Sequence, residues 1–169
     1  SSNEETQFCY GECPKVTEFL RKAFYQEAME KLPIFCVDIF LLNLKTNKYL
    51  VVFRKNRPAQ GVFFLPGGRL YKGESFFEAA KRICSKEVGV TIEPQKNLGI
   101  SNLVFPDSEW GCPGHTPATT IFATCHIEEE SLSVDNTQHT IYRWCSLFEP
   151  SNVDYTENAR RKVLQLFIH

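Results

Sequence analysis

Apolar residues recur at helical spacing between Lys15 and Lys31, at Val16, Phe19, Leu20, Ala23, Phe24 and Ala28, and Pro33 ends the pattern. This predicts a first helix. The pattern then changes to β-branched and aromatic runs, Ile34 to Leu42 (IFCVDIFLL) and Lys48 to Arg54, flanking the turn-like KTN, which predicts a hairpin. Gly61 to Leu65 reads as another short strand, closed by a turn at Pro66-Gly67-Gly68. Helical spacing returns from Ser75 to Val88, with Phe77, Ala80, Cys84 and Val88 on the inward side. Ser75 and Glu78 form a capping-box pattern, and Gly89 is the expected C-terminal stop. Strands are expected at Asn97 to Val104, Thr119 to Ile127 and Thr140 to Trp144, and a closing helix at Glu157 to Phe167. The polar stretch from Phe105 to Pro117, which includes Trp110, exceeds a typical connection and is expected to face substrate. Strands interleaved with a few helices predict the α/β class, a mixed sheet between helices.

Composition changes this picture little. A chain of 169 residues fits one domain, here 15–169 behind a polar, flexible 1–14 tail. With 43% hydrophobic residues and a formal net charge of -1, bulk charge gives no case for nucleic acid or membrane surfaces as partners. The longest apolar run is too short to span a bilayer and carries Asp38 in its middle. Seven cysteines, odd in number and without C-x-x-C spacing, argue for reduced thiols and a cytoplasmic setting rather than a zinc site or disulfide framework. Cys9 and Cys13 are the pair whose spacing leaves that open. The chain begins Ser-Ser, so a removed leader or tag also stays open.

Candidate chemistry begins at Gly67-Gly68, where backbone without side chains lets a ligand approach just before a helix. Taken singly, each candidate has a structural reading. A glycine pair makes turns, Glu87 near a helix end can be a solvated charge, and His139 in a strand can be a hydrogen-bonded rim residue. Asp38 differs, because a carboxylate inside an apolar run needs a partner. Arg82 is expected to pair with Glu78 or to orient Glu87, and Glu74 to brace the glycine loop.

The spacing of Gly68, Glu74, Arg82, Glu87, Gly89 and Val90 resembles the Nudix box. The resemblance implies a Nudix-type α/β/α sandwich. In RICSKEVG, however, Ile83 and Lys86 stand where that box usually carries carboxylates, leaving Glu87. Those positions would share a helical face, so their loss removes a cluster able to hold several hard cations. The flanking RPAQG (57–61), PGGRL with Arg69, and QHTIYRW (138–144) resemble the GDP-mannose mannosyl hydrolase branch. That resemblance implies one magnesium ion, with manganese as the alternative, held by the Gly67 carbonyl, Glu87 and Gln138. It implies His139 as general base, Arg54 and Arg69 on the diphosphate leaving group, and Asp38 against the sugar. It further implies a nucleotide-sugar substrate, GDP-mannose or GDP-glucose, cleaved to GDP and free sugar by water attack at the anomeric carbon, and a homodimer. Where the family tends to place His and Tyr near the sugar, this chain has Leu103 and Phe105. Two other readings stand beside this one: a Nudix pyrophosphatase attacking phosphorus of another nucleoside diphosphate derivative, and a Nudix-fold binding module without catalysis.

Overall fold

A computed structural model describes residues 5–53, 61–108, 111–132 and 141–168. Its centre is strand β1 (Cys36–Asn43), pairing antiparallel with β2 (Lys48–Phe53) through a turn in which Asn47 takes a left-handed φ of 56°. The predicted hairpin therefore forms. β1 is buried along nearly its whole length because it is covered on both faces. Val37, Ile39 and Leu41 point to one side and Phe40 and Leu42 to the other, which is why the run reads as continuously apolar.

The remaining strands of the main sheet are β3 (Phe63–Phe64), β4 (Gly67–Arg69), β5 (Glu93–Ser101), β8 (Ala118–Cys125) and β9 (Tyr142–Ser146). Their order is β3-β2-β1-β8-β5, with β4 also on β1 and β9 also on β2. β1 and β8 run parallel and the other pairs antiparallel, so the sheet is mixed. Helix α2 (Phe76–Val88) packs Ala79, Ala80, Ile83, Cys84 and Val88 on one face, and α3 (Asp154–Phe167) packs Ala159 and Val163 on the other. This is the expected sandwich.

The ends of α2 follow the sequence rules. Ser75 Oγ accepts the Glu78 amide at 3.1 Å, and Gly89 adopts a left-handed φ of 68°. Two expectations are corrected. The first helix, α1, spans only Lys22–Lys31 and buries Met29 alone, while Phe19 and Phe24 are 86% and 57% exposed. Arg21 at its N-cap offers no capping bond, and the preceding chain is drawn instead onto the start of α2. There Val16 N donates to Lys72 O at 3.0 Å, Lys15 pairs with Glu78, and the Glu5 carboxylate accepts the Phe76 and Phe77 amides at 2.6 and 3.3 Å. The second correction is that Gly67-Gly68 is strand rather than turn: Gly67 pairs with Asp38 and Gly68 with Val37. The long 105–117 connection carries a small antiparallel ribbon, β6 (Val104–Phe105) against β7 (Gly114–His115). Trp110 lies outside the described residues. Among the described residues no helix is long and apolar enough to cross a membrane, and all seven cysteines are free thiols.

Candidate active site

The doubled glycine sits in the sheet with its two α-carbons against opposite layers. A side chain at Gly67 would overlap Asp38 Oδ1 and come within 2.9 Å of the Val37 carbonyl, so only glycine fits beside that carboxylate. At Gly68 an added Cβ would lie 3.4 Å from Ile83 Cδ1, on the α2 side. Ile83, where the resembled box carries a carboxylate, is 2% exposed and belongs to the core under α2. The chain has filled that position with hydrocarbon packed onto the glycine strand.

Arg82, one residue earlier, does not pair as expected. Its Nε and Nη2 donate to Glu74 at 3.0 and 2.6 Å, and Nη2 also reaches the Arg69 carbonyl at 2.8 Å. Glu78 is taken by Lys15. Eight residues separate Arg82 from Glu74, so the pairing comes from folding the loop back over the helix start rather than from helical spacing. Glu74 also accepts the Tyr71 amide at 2.8 Å, so it does brace the loop. Burial pushes its carboxyl up, but the Arg82 guanidinium and the Tyr71 amide outweigh this and hold it below the ordinary carboxylate range. Arg69 and Arg82 both lie over the Tyr71 ring, 4.4 and 3.6 Å from its centroid. Arg69 is therefore held half-buried at the edge of the glycine strand by cation–π contact.

Asp38 is 7% exposed on the α3 side, where Tyr155 donates to its Oδ2 at 2.7 Å. The partner that a carboxylate in an apolar run requires is thus a tyrosine on the last helix. Glu87 lies on the exposed last turn of α2, one helical turn after Ile83. Its backbone carbonyl accepts the Tyr142 hydroxyl at 2.7 Å, which ties the first residue of β9 to the end of α2. Beside it, Phe53 at the end of β2 donates its amide to the Ile141 carbonyl at 2.9 Å.

Arg54, Gln138 and His139 lie outside the described residues. Among the described residues, β2 ends at Phe53 and β9 begins at Tyr142. Asp38 and Glu87 themselves lie on opposite layers, joined through the glycine strand. Tyr142 and Tyr155 are the residues that sequence reasoning missed. Tyr142 lay within the quoted QHTIYRW, whereas nothing near Tyr155 in the sequence connects it to position 38.

As for a divalent ion, the described residues contain no group of three His, Cys, Asp or Glu side chains able to hold one. A set made of the Gly67 carbonyl, Glu87 and a glutamine amide is all oxygen and carries one carboxylate. It therefore suits a hard ion that keeps several waters. A separate groove of about 650 Å³ runs along β2, β3, β9 and the turn before α3. Its wall includes Arg143 stacked 4.0 Å over Phe63. Asp38, Gly67, Arg69 and Glu87 are not among its lining residues.

Comparison with known proteins agrees with this architecture. The NUDIX domain family pattern matches residues 33–167. The chain is 29% identical over 128 residues to the low-salt glycan biosynthesis protein Agl8 of Haloferax volcanii, covering 75% of this chain and 77% of that one. It is 31% identical over 108 residues to the NAD-capped RNA hydrolase ndx-9 of Caenorhabditis elegans, covering 59% of this chain but only 29% of that longer protein. Among solved structures, the MutT protein of Methanosarcina mazei Go1 superposes with a TM-score of 0.63 at 20% identity, covering 82% of this chain and 99% of that one, a likeness of fold. With its sandwich, its box and the family pattern in agreement over most of its length, this chain belongs to the Nudix hydrolase family.

Proposed function

We propose that this Nudix hydrolase cleaves a GDP-sugar, GDP-mannose or GDP-glucose, to GDP and free sugar, using one magnesium ion. Nudix hydrolases generally use divalent metal ions. The observation that carries the narrower reading is the bond from Tyr142 to the Glu87 carbonyl, 2.7 Å long. It anchors the chain three residues from His139 and four from Gln138 at the residue proposed to hold the metal, within the roughly 10–14 Å that three or four extended residues can reach. The buried Ile83 supports a single-ion site, since hydrocarbon fills a position where a second ion would need oxygen. The Haloferax relative is named as a glycan biosynthesis protein, which favours sugar chemistry.

In this reading the Gly67 carbonyl, Glu87 and Gln138 would hold the ion, which would supply positive charge to the diphosphate oxygens. Arg69, presented by the glycine strand, and Arg54 add cationic charge to the same leaving group. His139 accepts a proton from water while the water oxygen bonds to the anomeric carbon. The bond from that carbon to the diphosphate oxygen breaks with its electron pair on GDP. Asp38 accepts a hydrogen bond from a sugar hydroxyl. A homodimer and a cytoplasmic, reducing setting complete the proposal.

Hydrolysis in ¹⁸O-labelled water, with products read by mass spectrometry, tests this directly. Label in the sugar is the expected result. Label in phosphate would establish the pyrophosphatase reading instead, and no magnesium-dependent turnover across a panel of nucleotide sugars would leave a binding module.

A further inference from the structure

The Asp38 carboxylate is fixed by more than burial. Tyr155 donates to Oδ2 at 2.7 Å, and the same tyrosine oxygen lies 2.7 Å from Thr120 Oγ1 on β8. The tyrosine ring is itself immobilised on Phe64 of β3, with centroids 5.2 Å apart and planes inclined by 14°. Burial, then the neighbouring Asp38 charge, pushes the Tyr155 hydroxyl far above its ordinary range, so it remains a protonated donor. The other carboxylate oxygen, Oδ1, rests against the α-carbon of Gly67. One oxygen is thus turned to the doubled glycine because the other is held from behind, by residues 82 and 117 positions further along the chain.

Stability alone does not call for a carboxylate here, since an apolar residue of similar size could take its place at little cost. We infer that Tyr155, backed by Thr120, is a positioning residue for Asp38: it sets which carboxylate oxygen is presented at the glycine strand to a sugar hydroxyl. This rests on the reading of Asp38 as the sugar contact given above.

The test compares the full chain with Tyr155→Phe, Thr120→Val, Asp38→Asn and the Asp38→Asn/Tyr155→Phe double variant. It measures kcat, KM and calorimetric Kd for GDP-mannose with magnesium, and thermal melting for each protein. Tyr155→Phe keeps the ring and its stacking and is expected to lose roughly ten- to a hundredfold in kcat/KM, the scale of a hydrogen bond to a charged group. Thr120→Val should lose less, in the same direction. The double variant should fall no further than Asp38→Asn alone, because Tyr155 acts only through that carboxylate. Losses that multiply in the double variant, or a fully active Tyr155→Phe beside an impaired Asp38→Asn, overturn the inference while leaving the sugar contact intact. An unimpaired Asp38→Asn, or a chain that neither binds nor cleaves GDP-mannose, overturns the sugar contact and the inference together.

Discussion

At the scale of the residue, the decisive exchange is hydrocarbon for carboxylate at position 83. Ile83 is buried and packs toward Gly68, so Ile83→Glu is expected to place a charge in the α2 core rather than to create a second ion site. The cost should be about 3 kcal/mol, read as a fall in melting temperature of roughly 6–12 °C. Glu87→Gln makes the opposite demand. Its side chain is exposed on the last turn of α2 and its carbonyl bond to Tyr142 does not involve the carboxylate, so the start of β9 should stay tied to α2. Magnesium-dependent turnover should fall by more than roughly a hundredfold, the upper end of what losing a supporting partner costs a metal site. The spacing of Glu74, Arg82 and Glu87 made these positions recognisable in the sequence, and the need of Asp38 for a partner was also legible. The partners were not. Arg82 finds Glu74 across a loop and Asp38 finds Tyr155 on another element, and neither pairing leaves a periodic trace.

Among the elements, α2 was the most legible, because its cap, amphipathic face and glycine stop are all local signals. Ser75→Ala should cost about 1 kcal/mol in equilibrium unfolding, with the loss of the bond to the Glu78 amide. The N-terminal segment shows where local reasoning ends. Its apolar spacing favoured helix from Lys15, yet residues before Lys22 lie across the loop that precedes α2. Gly73 is the contact point: its φ is +84°, and a Cβ there would meet the Cys13 and Pro14 carbonyls at 2.8 Å. Gly73→Ala is therefore expected to lift this segment away, and the Val16 amide, now bonded to Lys72 O, should lose protection in hydrogen exchange. An unchanged Val16 exchange rate would contradict that packing. The same limit appears at Gly67-Gly68, where a glycine pair suggested a turn and pairing with β1 made it strand.

For the whole molecule, two half-buried carboxylates held by arginines set the response to acid. Glu157 on α3 binds Arg160 at 2.6 and 2.8 Å and accepts the Ser151 amide at 2.9 Å. The Arg160 bonds, working against burial and aided by the Ser151 amide and Arg161, hold its carboxyl far below the usual range. Glu74 is likewise lowered, with burial opposing and Arg82 prevailing. A carboxylate with a depressed folded pKa adds stability that is fully present above its unfolded value of about 4.5 and is lost as pH falls through the folded one. Melting temperature is expected to be flat above about pH 5 and to drop below it, and Glu157→Gln or Glu74→Gln should flatten that acid limb while lowering the plateau. Melting curves between pH 2 and pH 7 check this.

The sequence by itself determined the α/β class, the hairpin, α2 with its caps and the reduced box, because each rests on spacing within a few residues of one element. Tertiary structure alone decided that the glycine pair would be strand, that Arg82 would serve Glu74, that Tyr155 would hold Asp38, and that Tyr142 would bring the start of β9 to Glu87. Those outcomes depend on which strands pair and which helix covers which face, and elements far apart in the chain settle such choices only by packing together.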